Sequence, residues 1–210
     1  DALRMFRALR FSAQLGFEIE AVTKSAIVNN ASNCKYLSAG RVRTELLKTI
    51  CSDRPQVGVH MFEMGLFRDF DGDTATLHKM AERLRKLPKS GNLRLISLSA
   101  AAGRALNISP GEFLERLGCG REVKELSGAF DCVPCGSAEE IRLSCGEYGM
   151  KKTMAACAAG DTILGGSRYR LFKEFVRSDL PHSVRELAIS GRELMALGLS
   201  PGREMGYVLN

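Results

Sequence analysis

Apolar residues recur three and four positions apart along most of this chain, which is the spacing of one face of an α-helix. Runs in which apolar and polar residues strictly alternate are few, so the pattern predicts an all-α fold class. Serine and glycine residues at the ends of these segments are typical helix start and stop signals. The predicted helices span residues 2–15, 21–31, 39–51, 55–65, 74–86, 91–105, 110–117, 121–130, 137–147, 150–158, 168–177, 190–196 and 201–209.

The first predicted helix carries a polar stripe on an otherwise apolar surface. At about 100° per residue, Arg4, Arg7 and Arg10 fall within one third of the helix circumference, and bulky apolar residues fill much of the rest. A polar strip on a buried helix needs a binding partner. Asp1 lies three residues before Arg4, so the two side chains are neighbours that can face one planar ligand together.

The composition is typical of a soluble globular protein, with 45% hydrophobic and 26% charged residues among 210. No apolar run approaches the roughly 20 residues that cross a membrane, and no signal peptide is evident, so the cytoplasm is the expected location. Because the first residue is Asp and not Met, we expect the chain to be a piece of a longer polypeptide.

The net charge of +6 is unevenly distributed. Residues 1–52, 74–105 and 151–210 are net basic, whereas residues 53–73 and 106–150 are net acidic. Clustered basic blocks favour a polyanion such as nucleic acid bound along an extended surface. Ordinary solvated helix faces are the alternative interpretation.

Seven scattered cysteines, an odd number, favour free thiols in a reducing compartment. Cys132 and Cys135 have the spacing of a zinc or redox pair, but no second pair of similar spacing follows them. We therefore favour free thiols, and a metal or redox role remains the alternative. His60, His78 and His182 lie far apart, and we expect them to be surface or core histidines and not metal ligands.

Three segments together resemble one protein family. Residues 1–17 contain Asp1-x-x-Arg4, then Arg-Ala-x-Arg-Phe and Gln-Leu-Gly-Phe, which is similar to the fourth motif of bacterial CCA-adding tRNA nucleotidyltransferases and their poly(A) polymerase relatives, known as class II. That motif usually reads Glu-Asp-x-x-Arg, and the Glu would precede Asp1. Residues 38–46 resemble the next motif, in which an Arg and a Glu four residues apart brace the nucleotide-reading helix. Residues 187–206 resemble the C-terminal tail of the family.

The resemblance implies an extended multi-helix array in three parts: a neck at 1–66 with the base-reading helices, a body at 67–160, and a tRNA-binding tail at 161–210. The glycine-rich stretch 160–167 looks like a flexible junction before the tail. In this family the catalytic carboxylates and their magnesium ions lie in an N-terminal head. We expect that head to be missing from this chain.

No catalytic residue and no metal site are therefore expected here. Asp71 and Asp73 form an aspartate pair at metal-binding spacing, but they follow the base-reading motif and lack strand-forming neighbours. These features favour a solvated turn or a helix cap. Alone, the chain should transfer no nucleotide and bind no cofactor, because Mg²⁺, CTP and ATP belong to the chemistry of the intact enzyme.

The resemblance assigns base selection to Asp1 and Arg4, and we place Arg7 beside them. Cytosine and adenine present an amino donor next to a ring-nitrogen acceptor, so a carboxylate can accept from the amine while a guanidinium donates to the ring nitrogen. Guanine and uracil place a carbonyl opposite the carboxylate, which leaves an acceptor unpaired. The alternative is an Asp that caps the helix beside an exposed Arg.

Arg10, Arg41 and Glu45 are the expected supporting residues. Arg41 and Glu45 are one helical turn apart, so we expect an ion pair that positions the base-reading helix. For Arg7 and Arg10, contact with phosphate and a role as salt-bridged framework residues remain open alternatives.

Residues of the C-terminal third are the expected RNA contacts, and their expected partner is the tRNA acceptor arm. The helix opened by Ser-Pro-Gly at 200–202 has free N–H groups that suit a phosphate. The predicted contacts are Lys151, Lys152, Arg168, Arg170, Arg192, Gly202 and Arg203, with Lys173 and Arg177 extending the track.

The predicted function is nucleotide selection and RNA binding in a tRNA nucleotidyltransferase that adds C and A to the tRNA 3′ end. A poly(A) polymerase and an A-adding enzyme share the base-reading motif, so both remain alternatives. A stand-alone helical RNA-binding module and a purely structural helical scaffold are alternatives from other classes. No membrane partner is expected.

Overall fold

The computed structural model describes residues 1–67, 72–178, 180, 190–198, 200–203 and 208. In these ranges the chain forms α-helices and no strand, which confirms the predicted all-α class. None of the helices described is long and apolar enough to cross a membrane. The helices are α1 (Leu3–Leu15), α2 (Ala21–Asn30), α3 (Ala39–Ile50), α4 (His60–Glu63), α5 (Thr74–Glu82), α6 (Gly91–Leu106), α7 (Pro110–Arg116), α8 (Arg121–Ser127), α9 (Ala129–Cys132), α10 (Ala138–Tyr148), α11 (Met150–Ile163), α12 (Arg168–Val176) and α13 (Gly191–Ala196).

Local capping fixes the start of several helices. The side chains of Asp73, Ser109 and Ser190 each accept a hydrogen bond from a backbone N–H in the first turn of α5, α7 and α13. The prediction of a helix cap is confirmed for Asp73, whereas Asp71 lies outside the described residues. Ser38 precedes α3 as predicted, but its side chain makes no capping hydrogen bond.

Three predicted helices are interrupted in the structure. Tight 3₁₀ turns, which close hydrogen bonds over three residues, replace part of the regular helix at two of these places. The interrupted helices are 55–65, which contains the turn Pro55–Val59 before α4; 74–86, which ends in the turn Arg83–Lys86; and 121–130, which breaks at Gly128. The predicted helix 201–209 lies largely outside the described residues.

The predicted junction at 160–167 is wrong in its first half. Residues 160–163 form the last turn of α11, so this helix continues past its predicted end. Gly160 is needed there because a Cβ atom would lie 2.9 Å from the ring of Phe130. Asp161 then accepts hydrogen bonds of 2.8 and 2.9 Å from the first two backbone N–H groups of α12. The two helices are therefore joined by a fixed connection.

The core is built around α6 and α11, which pack against each other along much of their length. Buried alanines on both helices, together with serines on α6, are small enough to let the two backbones approach closely. The larger apolar cluster joins this pair to α1, α3, α5 and α7, and a smaller cluster lies among α9, α10, α11 and α12. The division into neck, body and tail remains a prediction.

Arg94 ties α3 to α6. Its side chain is only 1% exposed and donates to the carbonyl oxygens of Ile50 (2.7 Å), Ser52 (3.0 Å), Leu87 (2.7 Å) and Pro88 (3.1 Å). The last carbonyls of a helix have no partner within the helix itself. One guanidinium from α6 thus satisfies acceptors at the C-terminal end of α3 and in the loop before α6.

Candidate nucleotide-binding cleft

A cleft of about 450 Å³ opens between α1 and α2. This volume lies within the range of about 300–1,000 Å³ that is usual for small-molecule sites. Asp1, just before α1, and Arg4 of α1 supply the two charged groups, whereas α2 and the turn after it supply apolar and polar uncharged side chains. The lining residues are Asp1, Ala2, Arg4, Met5, Ala8, Thr23, Ala26, Ile27, Asn30 and Asn33.

Asp1 and Arg4 both face this cleft. One carboxylate oxygen of Asp1 accepts from the backbone N–H of Leu3 (3.0 Å), and the other accepts from Arg41 Nη2 (3.0 Å). Capping, the alternative role of Asp1, is therefore present, but each oxygen retains acceptor capacity for a ligand. Arg4 is exposed, and within the described part of the chain its guanidinium makes no ion pair or hydrogen bond. The guanidinium of Arg4 is therefore available to a ligand in the cleft.

Three ion pairs brace α1 and the residue before it, Asp1, against α3. Arg41 binds Asp1, while Glu45 lies 3.1 Å from Arg10 and 3.6 Å from Arg7. The predicted ion pair between Arg41 and Glu45 is wrong, because each side chain reaches across to α1. Glu45 is only 4% exposed, and the two arginines balance its negative charge. Arg7 does not line the cleft, which favours its framework alternative over contact with a base.

A second, basic cleft of about 630 Å³ lies between α12 and the end of the Arg83–Lys86 turn. Of the predicted RNA contacts and their extension, Arg170, Lys173 and Arg177 line it. Lys86 completes the basic lining, and the sequence gives no signal for it, because no local spacing relates it to α12.

The other predicted RNA contacts do not line this cleft. Arg168 is half-buried and has a structural role, since its guanidinium donates to the carbonyl of Gly165 (2.7 Å). Lys151 forms a 2.7 Å ion pair with Glu122. Lys152 lies over the ring of Tyr148. The remaining predicted RNA contacts, Arg192, Gly202 and Arg203, are exposed.

Two of the three histidines come together in the fold. The rings of His60 and His78 lie 4.8 Å apart between centroids, and both bind the carboxylate of Glu63. They are distant in the sequence but close in space, because α5 packs against the turn that leads into α4. His182 lies outside the described residues.

The cysteines are free thiols in the structure. Cys132 is exposed and donates weakly to backbone carbonyls, whereas Cys135 is buried. A hydrogen bond with Cys135 raises the pKa of Cys157, and burial raises it further. Cys132 and Cys135 therefore differ in both exposure and partner despite their close spacing.

Comparisons with known proteins agree with the motifs. A family model described as the probable RNA and SrmB-binding site of polymerase A matches residues 16–70. CCA-adding enzymes of Pediococcus pentosaceus and Lacticaseibacillus paracasei are 28% and 29% identical to this chain over its whole length. The chain covers 54% and 53% of those enzymes, so it spans about half the length of these relatives.

Solved structures give the same relationship at the level of fold. The CCA-adding enzyme of Bacillus stearothermophilus in complex with CTP matches all of this chain with a TM-score of 0.65 and 22% identity, over 55% of its own length. Another complex of a CCA-adding enzyme with CTP matches with a TM-score of 0.61 and 18% identity. The predicted resemblance to the class II nucleotidyltransferases and poly(A) polymerases is confirmed. The two relatives described above, which align with the whole chain, are CCA-adding enzymes.

Proposed function

We propose that this chain supplies base selection and RNA binding to a tRNA nucleotidyltransferase that adds C and A to the tRNA 3′ end. The observation that carries the proposal is the pair formed by Asp1 and Arg4 in one cleft, with Asp1 fixed by Arg41. On this proposal, transfer of the nucleotide takes place on the half of the relatives' length that this chain does not span.

Mg²⁺ would support that transfer by binding the triphosphate. It requires oxygen ligands in octahedral geometry. Within the described ranges, His60, Glu63 and His78 lie close enough together to bind one metal ion, but two histidines and one glutamate suit Mg²⁺ poorly. No step through Mg²⁺ is therefore assigned to the residues that the structure describes.

Base selection follows from the arrangement of donors and acceptors. Asp1 accepts from the exocyclic amine of cytosine or adenine, and the guanidinium of Arg4 donates to the adjacent ring nitrogen. Uracil and guanine oppose the carboxylate with a carbonyl, and the unpaired acceptors cost about 1 to 3 kcal/mol. Arg41 and the ion pairs of Glu45 hold this wall of the cleft in place.

The test is incorporation of each single triphosphate into tRNA that lacks its 3′ end, by this chain joined to the catalytic half of a relative. Asp1→Asn supplies an amide N–H to uracil or guanine, so the preference for CTP over UTP should fall by at least about tenfold. Arg4→Ala should lower incorporation of both CTP and ATP. Arg121→Ala, at an exposed ion pair on α8, is the control. Unchanged C and A preference in Asp1→Asn and Arg4→Ala would refute the assignment.

A stand-alone RNA-binding module is the second candidate, and the description of the matched family model supports it. A poly(A) polymerase or an A-adding enzyme would use the same base-reading pair. The incorporation assay separates these outcomes. Addition of C followed by A indicates CCA addition, and addition of A alone indicates a poly(A) polymerase or an A-adding enzyme. RNA retention without any incorporation by the joined enzyme indicates the module.

A further inference from the structure

Three metal-binding side chains converge at a place that base selection does not use. His60 and Glu63 begin and end α4, and His78 lies on α5. His60 Nδ1 lies 2.6 Å from one carboxylate oxygen of Glu63, and His78 Nε2 lies 3.1 Å from the other. One possible ligand atom from each residue lies within 4.8 Å of the others. None of the three lines the cleft between α1 and α2.

We propose that His60, Glu63 and His78 form a binding site for a divalent transition-metal ion of the zinc type. Two imidazole nitrogens and one carboxylate oxygen are a ligand set that Zn²⁺ accepts, with water in the fourth position of a tetrahedron. Ligand atoms bound at about 2.1 Å from zinc stand roughly 3.4 Å apart, so modest side-chain rotation closes the site. Imidazole ligands select zinc, copper, nickel or iron over Mg²⁺.

The surroundings of the site suit a cation. The carboxylate of Glu63 contacts both imidazole rings and also has a side-chain hydrogen bond with Thr74. Thr74 is an outer partner that orients a ligating carboxylate, as is common around metal ions.

Metal binding here would fasten two segments that lie beneath the base-reading helix. The metal would join α4 to α5, and α4 and the turn before it pack against α1. The inferred role is therefore structural: the ion stabilises the support of the cleft and takes no part in nucleotide transfer.

The experiment is a titration of the full chain with Zn²⁺, followed by NMR of the imidazole nitrogens. The chain has three histidines, so each ring can be assigned. We expect one equivalent of Zn²⁺ to shift Nδ1 of His60 and Nε2 of His78, and to leave the ring of His182 unchanged. Zinc that shifts neither His60 nor His78, or that binds at the thiols alone, overturns the proposal.

Variants give an independent readout through thermal unfolding. Zn²⁺ at about 100 times its dissociation constant should raise the melting temperature of the parent protein by roughly 5 °C. His78→Gln and Glu63→Gln should lose this rise, whereas Glu82→Gln and His182→Gln should keep it. Equal rises in all variants contradict the site. A variant that fails to fold leaves the NMR result on the parent protein decisive.

Discussion

Asp1 is held in place before any ligand arrives. A backbone N–H and the guanidinium of Arg41 occupy one acceptor position on each of its oxygens. A carboxylate fixed in this way loses little freedom when a base binds, which favours affinity and discrimination. On the proposed function, Arg41 would act on base selection through Asp1.

Removal of Arg41 should disturb the position of the Asp1 carboxylate while leaving the stability of the fold nearly unchanged. Arg41 and Asp1 are both about half exposed, so Arg41→Ala should change the free energy of unfolding by less than about 1 kcal/mol. With Asp1 released, the ratio of kcat/KM for CTP to that for UTP should fall several-fold in the joined enzyme. Arg121→Ala removes a comparable exposed pair and should leave the ratio unchanged. An unaltered ratio in Arg41→Ala would show that Asp1 does not need this partner.

Asp73 provides a test of pH dependence. Hydrogen bonds from the hydroxyl and backbone N–H of Thr76 hold the pKa of Asp73 below its usual value. Because the folded-state pKa is depressed, the stabilisation is complete above the unfolded pKa of about 3.9 and is lost as pH falls through the folded pKa.

The measurement is thermal unfolding of the parent and Asp73→Ala from pH 7 downwards. The variant should melt lower at pH 7, and the difference should narrow below the unfolded pKa. Asp73→Asn keeps a capping acceptor without the charge and should show a weaker pH dependence than the parent. A difference between parent and Asp73→Ala that is constant down to the lowest pH argues against the cap as the cause.

At the scale of helices, the pairing of α1 with α3 depends on the buried Glu45. Glu45→Gln keeps the side-chain size but leaves Arg10, whose side chain is 13% exposed, without its counter-charge. Loss of one partner from a buried pair is costly, and we expect about 2 to 3 kcal/mol less stability by chemical denaturation. Glu82→Gln, at an exposed pair, should cost less than about 0.5 kcal/mol. Equal effects of the two changes would contradict the burial argument.

Local sequence signals predicted the helices well where the cause is local. Asp73 and Ser109 cap helices as expected, and the three-residue spacing put Asp1 beside Arg4. The ends of helices were less predictable: α11 continues through Gly160, where the absence of a side chain leaves room for the ring of Phe130. That contact joins distant parts of the sequence and leaves no periodic signal.

The partners that residues of the candidate site contact on neighbouring helices could not be predicted from local sequence spacing either. Spacing alone favours a pair between Arg41 and Glu45, yet both reach α1 once α1 and α3 pack together. His60 and His78 meet for the same reason. Such contacts depend on how helices are arranged in the folded protein, which residue types at a given spacing do not specify.

At the scale of the whole molecule, the basic cleft beside α12 should bind RNA phosphates. Arg170→Ala combined with Lys173→Ala removes two charges from its lining. The affinity for tRNA should fall, and the slope of log affinity against log salt should become less steep by roughly 1.5. Filter binding or fluorescence anisotropy over a salt series gives both quantities.

The matched control combines Arg104→Ala with Arg121→Ala, two exposed arginines that pair with carboxylates elsewhere on the surface. The control has the same loss of net charge, so it should shift affinity only slightly. If both double variants change the slope equally, the cleft has no special part in RNA binding.

The buried guanidinium of Arg94 has a mechanical consequence. It joins the end of α3 to α6 through short hydrogen bonds. Arg41 and Glu45 of α3 in turn bind Asp1, just before α1, and Arg10 of α1. Hydrogen bonds and ion pairs thus link α6, through α3, to the wall of the cleft, so a change at Arg94 should be felt at Asp1 as well as in the core.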